Sequence, residues 1–349
     1  MIRLTLRQFR MQAVVAIIGL LAVAIVVAIT GPPLEHLYDT TVANCQARGD
    51  CQTATTAFLA KDAFLRNALT ALMFVVPALI GIFWGAPLIA RELETGTFRL
   101  AWTQSVSRAR WLTVKLGVVG ISGILAAGLL SLAVTLWYQP IDAANADQYV
   151  WHVFDARDIV PVGYATFAFA LAAIAGALIR RTVPAMAATA VGFVGARVAF
   201  THWIRPILVS AAHTGTSLGG PAVTGFQVDP AGRVTFVAKA YIPNGWSMST
   251  RIVDRAGRLA SPRTLEHYLA RFCPQIATPP PRAGGSGGQP PPGAFDQCMS
   301  LLSARFHLAV TYQPPGRYWT FQWLETGIYV IAGLALLGAC IWWCVRRLP

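Results

Sequence analysis

The chain has 349 residues, of which 55% are hydrophobic and only 12% are Asp, Glu, Lys or Arg, and its mean hydropathy is +0.52. A soluble domain carries about twice that share of charge, and a disordered chain carries far fewer apolar residues, so the composition excludes both and places much of the chain in lipid. The net charge is +13, and 25 of the 28 basic residues are Arg, an excess that points to nucleic acid only until its location is known.

A membrane-crossing helix requires about 20 mostly apolar residues. In chain order the sequence opens with residues 1–12, where Arg3, Arg7 and Arg10 share one helical face and Leu4, Leu6 and Phe9 are apolar. This fits an amphipathic interfacial helix, or equally a plain positive flank. Six apolar stretches follow: Ala13–Thr30, Ala68–Ala90, Leu112–Tyr138, Ile159–Ile179, Val183–Trp203 and Trp319–Val345. A buried soluble core explains one such run, not six. The first is long for a secretory signal, and no clear A-x-A site precedes Gly31, so it is expected to stay as a span.

Orientation follows from Lys and Arg in short loops. One side carries 12 basic residues (Arg3, Arg7, Arg10, Arg91, Arg99, Arg108, Arg110, Lys115, Arg180, Arg181, Arg346, Arg347) against Glu92 and Glu94. On the other side, loops 31–66 and 139–158 hold 4 basic and 8 acidic residues. Both termini are therefore expected in the cytoplasm of a multi-pass cell-membrane protein, and residues 213–318 outside. The +13 then resolves into +10 at the cytoplasmic face and +6 in 213–318, against −4 in the two outer loops and +1 from Arg197, Arg205 and Glu325 in or just beyond spans five and six. It reads as a topology signal facing anionic lipid, and no nucleic acid is needed.

The stretch 91–110 joins spans two and three. Gly96 can end span two by adopting positive φ. Thr97 can cap a short helix over Phe98–Thr103, and Ser105 or Ser107 can cap span three from Arg108. Such a helix would lie along the membrane with Phe98, Leu100 and Trp102 at its surface. That suits a docking surface, or a lipid-facing interfacial helix.

Charges within spans are costly and suggest function. Arg197 lies about 20 Å into span five at 1.5 Å per residue, and Glu325 lies near the outer end of span six. The two are expected to pair, or to share a polar network with His202. Either an outer gate or plain helix–helix fixation would use such a network. Pro184 and Pro206 flank span five.

Residues 213–318 are polar enough to fold in water. Val223–Asp229 and Arg233–Tyr241 read as a β-hairpin, and Ser249–Asp254 with Arg258–Ser261 as a second. Leu265–Phe272 and Phe295–Phe306 read as short helices, separated by a Pro/Gly linker at 279–293. Outside the cell, even numbers of Cys at close range favour disulfides, here Cys45–Cys51 and Cys273–Cys298. Cys340 and Cys344, one turn apart with no His nearby, read as packing residues, and no metal is expected.

The sequence holds no G-x-x-x-x-G-K-[ST], G-x-S-x-G, H-E-x-x-H or paired C-x-x-C, and only three lysines. Catalytic residues are therefore expected to be none.

Glu92, Glu94, Gly96 and Thr97, followed by Thr103, Ser105, Val106, Ser107, Arg108 and the downstream Lys115, form a pattern similar to the permeases of ATP-binding-cassette exporters of the ABC-2 type. Many members have Pro where this chain has Ser105. The segment from Tyr312 through Trp319, Glu325 and Gly327 is similar to actinobacterial permeases of this group. The resemblance implies that 91–110 is a coupling helix seated in a separate P-loop ATPase subunit. Glu92, Glu94, Gly96, Thr97, Phe98, Trp102, Gln104, Ser107 and Arg108 would make or shape that contact, with Glu92 and Glu94 offering charge to the partner. It implies no cofactor in this chain, ATP and Mg in the partner, and a second copy or a related permease to complete the transporter.

The fold class expected is an all-α polytopic membrane protein. It comprises a possible interfacial helix (1–12), spans one to five (13–212), a small α+β extracytoplasmic domain (213–318), and span six with a cytoplasmic tail (319–349). The function expected is the permease subunit of an ATP-driven exporter working by alternating access. The alternative is a membrane-anchored binding or sensor protein of such a complex, which transmits ATP-driven motion outward without moving cargo.

Overall fold

The computed structural model describes residues 2–46, 51–96, 107–145, 151–218, 223–228, 234–238, 240, 242, 244–274 and 293–347. The elements are α1 (Ile2–Leu37), α2 (Gln52–Lys61), α3 (Ala63–Thr95), α4 (Arg108–Asn145), α5 (Val160–Ile179), α6 (Thr182–Ile207), β1 (Ala212–Ser217), β2 (Val223–Val228), β3 (Val234–Ala238), β4 (Trp246–Asp254), α7 (Pro262–Phe272), α8 (Ala294–Ser303), β5 (Phe306–Gln313) and α9 (Tyr318–Arg347). They form two units. The first is Met1–Leu208 with Tyr318–Pro349, and the second is Val209–Arg317.

In the first unit α1, α3, α4, α5, α6 and α9 are long and apolar enough to cross a membrane. All but α5 overrun the stretches read from the sequence, because helical backbone continues into the polar flanks where nothing breaks it. Residues 2–12 illustrate this: they are the opening turns of α1, with no break before the first span. α3 and α6 each loosen into a π-helical turn, at Ile80–Gly85 and Phe200–Ile204.

α5 is the axis of the bundle. Its 20 residues run about 30 Å, the thickness of a hydrocarbon core. Ala165, Ala168, Ala170, Ala172, Ala173 and Ala177 are all fully buried, so α5 is enclosed over most of its circumference, with Phe167, Leu171 and Ile174 half-buried on the remaining face. Small residues let backbones meet where lipid supplies no hydrophobic drive. A Cβ on Gly85 of α3 would fall 2.6 Å from the Ala172 Cβ, and one on Gly176 would fall 2.9 Å from the Ala86 carbonyl oxygen. Larger side chains pack at the two ends. Phe9, Ile89, Leu112, Leu116, Cys340 and Cys344 cluster at the end bearing the termini. Leu34, Phe58, Leu69, Met73, Trp137 and Tyr138 cluster at the other.

The second unit holds a three-stranded antiparallel sheet, order β1–β5–β4, and a separate β2–β3 hairpin. Of the hairpin expected over 223–241, the described residues Val223–Val228 and Val234–Ala238 pair antiparallel. The second expected hairpin is reduced to one bridge, Val253↔Leu259, and β4 pairs with β5 instead. The helix expected over Phe295–Phe306 stops at Ser303, and Phe306 opens β5. Phe306, Leu308 and Val310 alternate into a core with Leu269, Met299 and Leu302. α7 begins at Pro262 with Ser261 accepting from the Thr264 amide at 3.1 Å. Both expected disulfides are present, Cys45–Cys51 in the first unit and Cys273–Cys298 tying the C-terminal end of α7 to the middle of α8. Residues 279–292 of the linker lie outside the described residues.

Candidate functional site

Two polar clusters stand out in the membrane unit, one at each end. At the end bearing the termini, α3 closes at Gly96, whose φ of +70° is the left-handed cap that glycine supplies without strain. Glu92 and Glu94 sit in the turns just before it. Two residues on a helix are about 200° apart at 3.6 per turn, so these carboxylates point to nearly opposite sides. Glu92 forms an ion pair with Lys115 of α4, a buried lysine whose ammonium also lies 5.1 Å from the Trp111 ring centroid. Glu94 Oε2 accepts from Thr182 of α6 twice, from the backbone N–H at 3.0 Å and from Oγ1 at 2.7 Å.

Both carboxylates are thus engaged inside the chain. In this conformation each makes an intramolecular tie, Glu92 half-buried and Glu94 exposed. Ser107 lies at the start of α4, where its carbonyl accepts from the Trp111 amide at 3.1 Å and its Oγ from the Arg110 amide at 3.4 Å. Thr97, Phe98, Trp102 and Gln104, and with them the expected surface helix, lie outside the described residues, as does the side chain of Arg108.

At the opposite end, Arg205 grips Glu325 with a fork, Nε to Oε2 at 2.9 Å and Nη2 to Oε1 at 2.8 Å. The same guanidinium pairs with Asp155, whose other oxygen accepts from Arg197 Nη2 at 2.7 Å. Tyr164 donates to Glu325, and its ring lies 3.7 Å from the Arg197 guanidinium carbon. Asp155, Arg205 and Arg197 are 1%, 4% and 8% exposed and Glu325 is fully buried. Two cations and two anions make the group neutral, the condition under which such burial is tolerable.

A second layer adjoins it. Arg157 pairs with Asp142, Tyr318 donates to Asp158, and Gln322 accepts from the Val160 amide at 3.1 Å while donating to Tyr318 at 3.1 Å. Ser131 and Thr135 of α4 bind the backbone of Asp158, which has a left-handed φ of 60°.

Arg197 and Glu325 are therefore joined, though through Arg205, Asp155 and Tyr164 rather than directly. His202 does not take part. It is exposed, and its Nδ1 lies 3.1 Å from the Val198 carbonyl oxygen of its own helix. The segment 151–158, part of the outer loop 139–158 read from sequence, is folded into the bundle and supplies Asp155 and Arg157. The signal that could have found Arg205 is its eight-residue spacing from Arg197, about two turns along one face. Asp155 carries no local signal, because its role depends on the fold of α5, α6 and α9 around it.

Among the described residues no group of three or more His, Cys, Asp or Glu is placed to hold a metal ion. Cys340 and Cys344 pack in the apolar cluster beside Phe9 and Leu112.

The sequence model of a family described as "ABC-2 membrane transporter related" matches residues 17–205, which is 189 of the 349 residues. The match covers the first five spans, both glutamates of the α3 terminus, and Arg197 and Arg205. It stops before the second unit. No curated protein and no solved structure matches the chain. With more than half its length matched, and with six apolar helices to carry it, the chain belongs to the ABC-2 membrane transporter related family.

Proposed function

We propose that this chain is the membrane-spanning permease subunit of an ATP-driven exporter, acting by alternating access. A separate P-loop ATPase subunit, which holds ATP and Mg, docks on the loop 91–110, and a second copy of this chain or a related permease completes the transporter. Both termini and that loop face the cytoplasm of a multi-pass cell-membrane protein. The reading rests on one observation above the others, the family match over 17–205. It is supported by the distribution of Lys and Arg and by the engagement of Glu92 and Glu94 with spans three and five, which gives a push on the loop a route into the bundle.

A second reading, motion transmitted without cargo, is favoured by one feature of the second unit. β1 begins five residues after α6 ends, β5 ends five residues before α9 begins, and the two strands are adjacent. Gln313 and Arg317 brace the two legs by bonds to the Val209 and Ser210 carbonyls.

The test is purification of the chain from its native membrane in mild detergent. Recovery of a P-loop ATPase whose hydrolysis rises on reconstitution with the chain supports the first two readings, and its absence rejects both. ATP-dependent depletion of a metabolite pool around inside-out vesicles, followed by mass spectrometry, supports export. An ATP-dependent change in protease cleavage at 279–293 with no depletion supports transmission.

A further inference from the structure

The start of the fifth span is short of a cap. Its first helical residue is Thr182, and the preceding residue, Arg181, has the extended backbone of a cap (φ −129°, ψ 130°) but no side-chain hydrogen bond to the helix. A guanidinium has only donors, so Arg181 cannot satisfy the free N–H groups that begin every helix. The turn that delivers it is only two residues, with Arg180 in the left-handed region at φ 59°. A turn this tight leaves no room for a local Ser or Asp to do the work. The acceptor comes instead from α3: Glu94 Oε2 takes both the Thr182 N–H and its hydroxyl. A carboxylate is the best such acceptor, since the helix N-terminus carries partial positive charge. Close packing of Gly176 on Ala86 and Ala90 holds the end of α5, and hence the turn, beside the end of α3.

We propose that Glu94 is the N-terminal cap of the fifth span, supplied from the end of the second. Through it the loop after Gly96 moves span five, while Glu92, on the opposite side of the same helix, moves span three. The E-x-E spacing is then explained by geometry. Two positions apart is the spacing that sends one carboxylate to α4 and the other to α6. Glu94 is a positioning residue inside this chain, not a charge offered to the ATPase. The mechanical half of this inference rests on the coupling reading above, and the capping half stands without it.

The experiment is hydrogen exchange of the full-length chain in nanodiscs, read at Thr182, Val183 and Ala185, with and without the co-purified ATPase and ATP. E94A removes the acceptor, and exchange there rises about tenfold, the effect of losing a good cap. T182P removes both donors from the other side. Proline is suited to a first helical position, and Arg181 already has the backbone that precedes one. It therefore raises exchange at Val183 and Ala185 in the same way and covers the case in which E94A does not fold. E94Q keeps an oxygen that accepts both bonds and so retains the protection.

In the complex, E94A and T182P lose the ATP-dependent change in exchange along α6, while the ATPase still co-purifies. Unchanged exchange at 182–185 in E94A overturns the cap. Loss of the ATPase from both E94A and E94Q, with exchange unaltered, overturns it in favour of a docking charge. If no ATPase is recovered even with the unsubstituted chain, the permease reading fails, and the exchange comparison still decides the cap.

Discussion

The two units of this chain solve the same problem in different solvents. The second unit, Val209–Arg317, is built as water-soluble domains are: alternating β5 residues, two amphipathic helices, an apolar core and a disulfide. The membrane unit places its smallest residues at the centre, on α5, and its buried charges at the two ends, most of them opposite the termini. Water rewards burial of apolar surface, so the second unit hides its large side chains. Lipid gives no such reward and leaves unpaired polar groups very costly, so the first unit uses close backbones and paired charges as its specific contacts. Each unit should therefore fail by its own route, and exchange resolved by peptide can watch both at once.

The largest effect is expected at Glu325. Glu325→Ala leaves Arg205 with Asp155 as its carboxylate partner, which is already shared with Arg197. Breaking a buried pair from one side costs about 3–5 kcal/mol. The thermal midpoint of the detergent-purified chain should fall steeply, with exchange rising in α5, α6 and α9 and not in β4 or β5. Replacing Arg205 and Glu325 together by Met should cost clearly less than the sum of the single changes. Equal costs would mean that the fork contributes nothing specific.

Next comes the disulfide. Replacing Cys273 and Cys298 by Ser opens a link 25 residues apart in sequence, at a cost of about 2–4 kcal/mol. The loss should appear as exchange in α7 and α8, with α5 unmoved. A matching loss in the membrane unit would erase the distinction drawn between the two.

A smaller effect tests the packing of α5. Gly85→Val inserts a Cβ where one already meets Ala172 at 2.6 Å and the Phe169 carbonyl oxygen at 2.9 Å. Overpacking of this kind costs about 1–3 kcal/mol. The same substitution at Gly195, which has nothing within 4 Å, should be close to neutral. Comparing the two midpoints isolates crowding from the change of residue type.

What the sequence disclosed follows the same division. The six spans were legible because each announces itself in 20 consecutive residues. So were Gly96 as a helix stop and the disulfide pairs, since each depends on near neighbours or on compartment. The partners of Arg197 and Glu325 were not. Asp155 lies 42 residues before Arg197 and 50 before Arg205, and Glu325 lies 120 after Arg205. His202 attracted the expectation only because it is adjacent in sequence, and it faces outward. β5 was hidden for the same reason, since its partner β1 begins nearly 100 residues upstream. Glu94 stood out in the sequence as a charge at the end of a span. Its target, Thr182, is 88 residues away, and only the packing of α3 on α5 brings them together.

The smallest effect belongs to the turn after β4. Asp254 accepts from the Ala256 and Arg258 amides, each at 2.9 Å, around Gly257 with φ +77°. The Arg258 amide, more than any other group, holds its carboxyl below the ordinary value. A depressed acid stabilises the fold above its unfolded value of about 3.9, and that contribution is lost as pH falls through the lower, folded value. In full-length chain labelled with 15N-glycine, the Gly257 amide should therefore titrate with a midpoint below about 3.9, and Asp254→Asn should abolish the titration. A midpoint at or above the ordinary value would mean that the turn is not held by its carboxylate. Glu325 of the membrane unit gives the contrast to this test. Its carboxylate is enclosed by Arg205 and Tyr164 rather than by water, so the same acidification should leave α5, α6 and α9 unchanged in exchange pattern while the β4 turn loosens.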